Sequence, residues 1–198
     1  MKIICFDLEG VLIPEFWEEL AKETQIKEFM LTTKDINDYD KLMKIRIEKL
    51  KENNINFSEM KKIIEKMNPL PGAPEFLDWV RERGQVVILT GSFYEYIMPL
   101  LKKLGHPATF ANFLKIENDF IVDYKMREGD GKIEMINRFH EANLDTIAVG
   151  DSFNDLKMLK GAKKGIMFNP NEKMKEAGGN LPIANNYEEL KKELEKAL

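Results

Sequence analysis

Acidic side chains follow two apolar stretches of the sequence at spacings that suit catalysis or metal binding. Asp7 and Glu9 lie at the end of the first stretch, residues 3–8, and residues two apart on a strand share a face, so both carboxylates could project toward one site. Asp151 and Asp155 are four apart at a strand-to-helix turn and could converge on one cation. Carboxylate oxygens completed by water are the usual ligands of Mg²⁺, so these acids predict a cation site.

Groups that suit an anion accompany these acids. Thr90, Gly91 and Ser92 follow another apolar stretch and offer a hydroxyl group and backbone amides, and Lys132 adds a positive charge near the start of a predicted helix. Acids, a cation, a hydroxyl and a lysine suit phosphoryl transfer, in which positioning and charge stabilisation dominate. One carboxylate can be a nucleophile that forms an aspartyl-phosphate, and a second can be the general acid and base.

Alternating strands and helices are predicted to position these groups. The strands are expected near 3–8, 85–89, 146–149, 165–168 and 181–184, the helices near 75–83, 93–104, 132–141, 155–160 and the C-terminus, and a hairpin over 113–126. This order predicts an α/β fold with a doubly wound parallel sheet. Ligands of such sheets bind beyond the carboxyl ends of the strands, which is where the acids, hydroxyls and glycines lie.

Residues 14–68 differ in character from the rest. They contain no glycine, and their apolar residues recur at helical spacing, which predicts a small helical unit with Ser58 as an N-cap and loops near 32–37 and 53–57. Hinges are expected at Ile13-Pro14 and at residues 68–72.

Length and composition exclude several classes of protein. The 198 residues are 43% hydrophobic and carry a formal charge of −4, which disfavours a disordered chain and a nucleic-acid-binding protein. No apolar run approaches the length of a membrane span, Asp7 and Glu9 interrupt any signal-like stretch, and the single cysteine, Cys5, fits a reducing compartment. A soluble, cytoplasmic protein is expected.

The motifs resemble those of the haloacid dehalogenase superfamily of phosphatases. The matching segments are Asp7-Leu8-Glu9-Gly10-Val11-Leu12, Thr90, Lys132 and Gly-Asp-Ser-Phe-Asn-Asp at 150–155. The stretches 14–17, 38–46 and 93–95 narrow the resemblance to phosphoserine phosphatases, above all to the branch that also transfers phosphate from phosphoserine to homoserine. The resemblance implies a core domain of residues 1–13 and 69–198 and a helical cap domain of residues 14–68.

The resemblance also implies a role for each site residue. Asp7 is expected to be the nucleophile and Glu9 the acid and base. The implied Mg²⁺ ligands are the Asp7 carboxylate, the Glu9 carbonyl oxygen, Asp151, and Asp155 directly or through water. Thr90, the Gly91 amide, Ser92 and Lys132 are expected around the phosphoryl group, Asn154 to orient the site, and Glu15 and Arg46 to bind the ammonium and carboxylate groups of phosphoserine.

Two positions depart from the commonest pattern of that superfamily. Most of its phosphatases have Asp where this chain has Glu9, whereas the homoserine branch also has Glu. At positions 91 and 92, ordinary phosphoserine phosphatases have two glycines and the homoserine branch has an acid and a threonine. This chain has Gly91 and Ser92, a pair that is intermediate between the two patterns. The resemblance therefore implies a phosphoserine phosphatase, with transfer to homoserine as the alternative, and a monomer or homodimer is expected.

Two other functions, ligand binding without catalysis and dehalogenation, fit the sequence less well. A catalytically idle domain that binds a phosphorylated ligand is disfavoured because the full set of acids and the lysine is present. Dehalogenation is disfavoured because that chemistry needs no Mg²⁺ and would leave the paired acids unexplained.

Overall fold

The predicted alternation of strands and helices is present in the structure. The computed structural model describes residues 2–32, 35–36, 38–127 and 131–198. The strands of these residues are β1 (Lys2–Phe6), β2 (Gln85–Phe93), β3 (Ala108–Glu117), β4 (Phe120–Lys125), β5 (Asp145–Gly150), β6 (Lys164–Phe168) and β7 (Ile183–Ala184). Their helices are α1 (Phe16–Thr24), α2 (Tyr39–Glu52), α3 (Phe57–Lys66), α4 (Ala73–Arg81), α5 (Tyr94–Lys103), α6 (Gly131–Glu141), α7 (Leu156–Gly161), α8 (Glu172–Gly178) and α9 (Tyr187–Glu195), with 3₁₀ helices at Lys27–Met30 and Phe153–Asp155.

The strands form one sheet in the order β4-β3-β2-β1-β5-β6-β7. All neighbours are parallel except β3 and β4, which pair antiparallel. β2, the next strand along the chain, lies on one side of β1, and β5, which the chain reaches after β4 and α6, lies on the other side. The carboxyl end of β1 is therefore the switch point of the sheet. The predicted doubly wound α/β fold is confirmed.

The two faces of the sheet carry separate apolar clusters because side chains alternate along each strand. Ile4 and Phe6 of β1 pack in a large cluster with α4, α5 and α9. Ile3 and Cys5 of the same strand pack in a second cluster with α6, α7 and α8. Helices on both faces hold the carboxyl ends of β1, β2 and β5 side by side, and this edge carries the predicted chemistry.

Residues 14–68 form α1, α2, α3 and a 3₁₀ helix over this edge. Their apolar side chains, such as Phe16 and Ile64, belong to the same cluster as those of α4 and α5. At the predicted loop 32–37, residues 33, 34 and 37 lie outside the described residues. The division into a core domain and a cap domain stays a prediction.

The β3–β4 hairpin contacts these helices. It turns at Asn118 and Asp119, inside the hairpin predicted over 113–126, and both residues have the positive φ of a two-residue hairpin loop (49° and 65°). The Asp119 carbonyl accepts the Phe57 N–H (2.7 Å), and its carboxylate accepts both the N–H and the hydroxyl of Ser58 (3.2 and 3.0 Å). The hairpin thus fixes the start of α3.

Several local predictions differ from the structure. Ser58 lies inside α3, whose N-cap is Asn56, because Asn56 and Glu59 form a reciprocal capping box. α8 was not predicted, and β3 begins earlier than the predicted hairpin, at Ala108, where it pairs with β2. Among the described residues, no helix combines the length and apolar character of a membrane span.

Candidate active site

Three aspartates meet at the carboxyl ends of β1 and β5. Asp7 directly follows β1, and its N–H donates to the Val149 carbonyl (2.9 Å), which continues the pairing of the two strands. Asp151 directly follows β5, and Asp155 ends the next 3₁₀ helix. One carboxylate oxygen from each of the three lies within 4.8 Å of the other two.

The glycine after Glu9 allows this close approach. Gly10 has a φ of +74°, and a Cβ atom there would lie 2.4 Å from Asp151 Oδ2. Only a residue without a side chain fits both the left-handed backbone and the adjacent carboxylate. The backbone of the turn after β1 therefore packs directly against the Asp151 side chain in the turn after β5.

Lys132 joins two of the aspartates. It lies in the first turn of α6, and its Nζ is 2.8 Å from Asp7 Oδ1 and 2.6 Å from Asp155 Oδ1. Burial disfavours the charged form of Lys132, but the Asp155 and Asp7 carboxylates outweigh this and raise its pKa. Lys132 is therefore a fixed positive charge beside Asp7.

The charges of the cluster fit a divalent cation. Burial first, and then the charge of Asp155, raise the pKa of Asp7 well above its ordinary value and that of Asp151 to about 7. Three acids next to one lysine have an excess of negative charge that a divalent cation would neutralise, and all offer the oxygen atoms that Mg²⁺ prefers. Both oxygens of Asp155 already accept hydrogen bonds, from Lys132 and from Ser152.

Glu9 is held between two elements. Its Oε1 accepts the N–H of Phe16, the first residue of α1 (2.8 Å), and its Oε2 accepts the hydroxyl proton of Ser92 at the end of β2. Glu15 occupies the N-cap position of α1 but makes no capping hydrogen bond, so Glu9 takes over that role. Burial raises the pKa of Glu9, and the Ser92 and Phe16 hydrogen bonds partly offset the rise.

The end of β2 contributes the predicted anion-binding residues. Thr90 is buried, and its Oγ1 accepts the Ser92 N–H (3.1 Å). Apart from its chain neighbours, no atom of the described residues lies within 4 Å of the position of a Cβ at Gly91. The Gly91 carbonyl accepts a hydrogen bond from the side-chain N–H of Asn112 (2.7 Å). Asn112 thereby fixes the direction of this peptide where the register of β2 and β3 shifts.

A cavity of about 280 Å³ joins these residues to the helices of 14–68. Of the predicted site residues, Asp155 is the one that does not line it; the others are Asp7, Glu9, Glu15, Arg46, Thr90, Gly91, Ser92, Lys132, Asp151 and Asn154. Asn154 is exposed at its rim. The structure thus brings the residues predicted on the sheet and on the helical segment to one cavity.

Arg46 is a buried cation on the helical side of the cavity. It is 7% exposed, stacks on Trp17 at 4.4 Å from the ring centre, and donates from Nη2 to the Leu31 carbonyl (2.9 Å). Its Nε has no hydrogen-bond partner among the described residues. A buried guanidinium with an unused donor is suited to an anionic group of a ligand.

Glu15 lies at the mouth of the same cavity. Although the residue is exposed, the cavity walls remove water from around its carboxyl group, and the charges of Glu9 and Asp151 add to this effect, so its pKa rises to about 8. A cationic group of a ligand would restore its negative charge.

Sequence reasoning missed several residues of the cavity. Trp17, Tyr39, Tyr96 and Ser152 line it, and none of them is among the predicted site residues. For Ser152 a signal existed, because Ser and Asp three residues apart form a capping box here. The aromatic residues carried no such signal, because aromatic side chains at helical spacing most often pack in a core.

Comparisons with known proteins agree with this geometry. Residues 1–163 match the family model of the haloacid dehalogenase-like hydrolases. The chain is also 42% identical over 198 residues to phosphoserine phosphatase ThrH of Pseudomonas aeruginosa, covering all of this chain and 97% of that protein. The chain is a haloacid dehalogenase-like hydrolase of the phosphoserine phosphatase family. The resemblance inferred from the motifs is confirmed.

Other members of the family extend the likeness. This hydrolase is 30% identical over 181 residues to the phosphoserine phosphatase of Methanocaldococcus jannaschii, over 84% of this chain and 85% of that protein. A solved phospho-aspartyl intermediate analogue of phosphoserine phosphatase has the same fold, with a TM-score of 0.79 at 24% identity over 98% of both chains.

Proposed function

We propose that this hydrolase removes phosphate from L-phosphoserine, with Mg²⁺ bound and with an aspartyl-phosphate formed on Asp7. The observation that carries the proposal is that Asp7 and Glu9 line the same cavity, of about 280 Å³, as Arg46 and Glu15. A cavity of that size admits a small molecule rather than a phosphoprotein. The relatives named phosphoserine phosphatase support the same substrate.

The helical side of the cavity suits an amino acid. The unpartnered Nε of Arg46 and its planar fork suit the substrate carboxylate. Glu15, on the same side, suits the substrate ammonium group. The phosphate group then extends toward Asp7, where Thr90, the Gly91 amide and Lys132 are placed to bind its oxygens.

The proposed reaction has two steps, with the Asp7 carboxylate as the nucleophile and the Glu9 carboxyl group as the acid and then the base. In the first, an oxygen of Asp7 bonds to phosphorus, the phosphorus–serine oxygen bond breaks, and the Glu9 carboxyl group gives its proton to the departing oxygen. In the second, the Glu9 carboxylate takes a proton from water, the water oxygen bonds to phosphorus, and the bond to Asp7 breaks. Lys132 and the Leu8 N–H both bond to Asp7 Oδ1, which leaves Oδ2 available for the attack.

Mg²⁺ fits the cluster of Asp7, Asp151 and Asp155, with the Glu9 carbonyl oxygen as a further ligand. When bound, it supplies positive charge that stabilises the transferring phosphoryl group. Asp155, whose two oxygens already accept hydrogen bonds, suits contact through a water molecule and holds Lys132 in place.

Phosphorus NMR tests the proposal directly. Purified protein with Mg²⁺ and L-phosphoserine is expected to release inorganic phosphate, and Asp7→Asn to lose at least about 1,000-fold of that rate because the nucleophile is removed. The absence of turnover in the wild-type protein would contradict the substrate assignment.

The same NMR reaction with L-homoserine added tests the alternative, in which the phosphate is transferred to the homoserine hydroxyl group. That alternative rests on the glutamate at position 9, which the homoserine branch shares. A phosphohomoserine signal that appears only with homoserine would establish the transferase, and phosphate alone in both reactions would exclude it.

A further inference from the structure

The hydroxyl group of Ser92 is already engaged. Ser92 is 2% exposed and donates its hydroxyl proton to Glu9 Oε2. Its N–H donates to Thr90 Oγ1 (3.1 Å). A serine hydroxyl has a single proton to donate, so it cannot also donate to a phosphoryl oxygen while it is bonded to Glu9.

The other oxygen of the same carboxylate is also held. The Phe16 N–H donates to Glu9 Oε1 at 2.8 Å, from the first turn of α1. Ser92 and Phe16 therefore fix the Glu9 carboxylate from two elements, β2 and α1. Without the hydroxyl of Ser92, one oxygen would lose its donor and the flexible side chain of Glu9 would gain rotamers.

The length of Glu9 matches the position of Ser92. An aspartate at position 9 is one methylene shorter and could not reach both the β2 hydroxyl and the α1 amide from the same backbone position. Glu9 and Ser92, which are 83 residues apart, therefore form a matched pair.

We propose that Ser92 is a positioning residue that holds the Glu9 carboxylate in the orientation required for proton transfer. The inference rests on the proposed function, in which Glu9 protonates the departing oxygen and later deprotonates water. It differs from the sequence-based expectation for Ser92, which was direct contact with the substrate or its phosphate.

The dependence of rate on the leaving group tests this role. Serine is a poor leaving group that needs a proton, whereas p-nitrophenolate departs without one. For Ser92→Ala, we expect kcat on phosphoserine to fall about 10- to 100-fold with KM changed less than about threefold. Single-turnover release of p-nitrophenol from p-nitrophenyl phosphate should change less than about threefold, because that step does not depend on Glu9.

Two further variants serve as controls. Ser92→Thr keeps the hydroxyl group and should recover most of the lost rate on phosphoserine. In a Glu9→Gln background, where the acid is absent, adding Ser92→Ala should cost less than about twofold more. Thermal unfolding of each variant shows whether it is folded.

The results separate the two proposals. Equal losses on both substrates, or a raised inhibition constant for inorganic phosphate, would make Ser92 a phosphate ligand and overturn the inference while the proposed function stands. Additive losses in the Glu9→Gln background would also overturn it. A wild-type protein that is inactive on every phosphomonoester would overturn the proposed function and this inference with it.

Discussion

At the scale of single residues, Arg46 is the group that we propose to distinguish an amino-acid substrate from other phosphate esters. Its buried Nε has no hydrogen-bond partner among the residues that the structure describes. We expect Arg46→Lys, which keeps the charge but loses the fork, to lower kcat/KM for phosphoserine about 10-fold, and Arg46→Ala about 100-fold.

Phosphoethanolamine, which lacks the carboxylate, provides the comparison for Arg46. Steady-state rates on both substrates should show that the Arg46 variants lose most of their activity on phosphoserine and little on phosphoethanolamine. Equal losses would mean that Arg46 acts through its stacking on Trp17 rather than through the substrate.

The residues of the site differ in how far the sequence could predict them. Asp7, Thr90 and Asp151 could be predicted because each follows a run of apolar residues at the carboxyl end of a strand, and parallel strands end at the same edge. The bond between Ser92 and Glu9 could not, because it joins residues 83 apart and depends on one rotamer of each side chain.

At the scale of elements, the turn after β1 must pass close to the turn after β5. For Gly10→Ala, we expect Mg²⁺ affinity and kcat to fall at least about 100-fold, because the new Cβ would meet Oδ2 of Asp151, a proposed metal ligand, and displace it. Isothermal titration with Mg²⁺ and steady-state kinetics measure both effects.

Gly179→Ala is a matched control for this substitution. Gly179 also has a positive φ (61°), but apart from its chain neighbours no atom of the described residues lies within 4 Å of the position of a Cβ there. Both variants should lose stability from backbone strain, while only Gly10→Ala should lose metal affinity. If both variants lost activity equally, the loss in Gly10→Ala would be due to unfolding rather than to the displaced carboxylate.

The contact between α2 and β4 gives a second prediction at this scale. The Tyr124 hydroxyl donates to Asp40 Oδ1 (2.7 Å) and so attaches the helix that carries Arg46 to the sheet. Tyr124→Phe should raise KM for phosphoserine about two- to threefold, as expected for the loss of one exposed hydrogen bond.

Tyr94→Phe is the comparison for Tyr124→Phe, because the Tyr94 hydroxyl donates to the Thr109 carbonyl of β3 rather than to a residue of α2. Its KM should stay unchanged. An equal rise in KM for both variants would show that the α2–β4 contact has no special part in substrate binding.

The elements that were not predicted lacked the pattern that predicts the others. α8 has seven residues and buries Met174 as its only large apolar side chain, so it shows no helical periodicity. The first residues of β3 follow Gly105-His106-Pro107, a sequence typical of a loop, and are strand because β2 pairs with them.

At the scale of the whole molecule, the acidic cluster should make stability depend on pH and on Mg²⁺. The Asp151 carboxyl group has a pKa of about 7 in the folded chain against 3.8 ordinarily, so the unfolded chain releases its proton at lower pH than the folded chain. The metal-free protein should therefore lose stability as pH rises from about 4 to 7.

Mg²⁺ should reverse this loss, since under the proposed function it would bind the deprotonated carboxylates. At a concentration about 100-fold above Kd, we expect Tm to rise by roughly 5 to 10 °C at pH 8, and by much less at pH 5. Differential scanning calorimetry with EDTA or Mg²⁺ measures the difference. Asp151→Asn should flatten the pH dependence, and an equal Mg²⁺ effect at both pH values would contradict the prediction.

The apolar cluster shared by residues 14–68 and the sheet limits how this enzyme can be recombined. Phe16 and Ile64 pack in the same core as α4 and α5, so a helical segment transplanted from a relative would bring side chains shaped for another surface. New substrate specificities are therefore more readily obtained by changing side chains within the cavity than by exchanging the helical segment as a module.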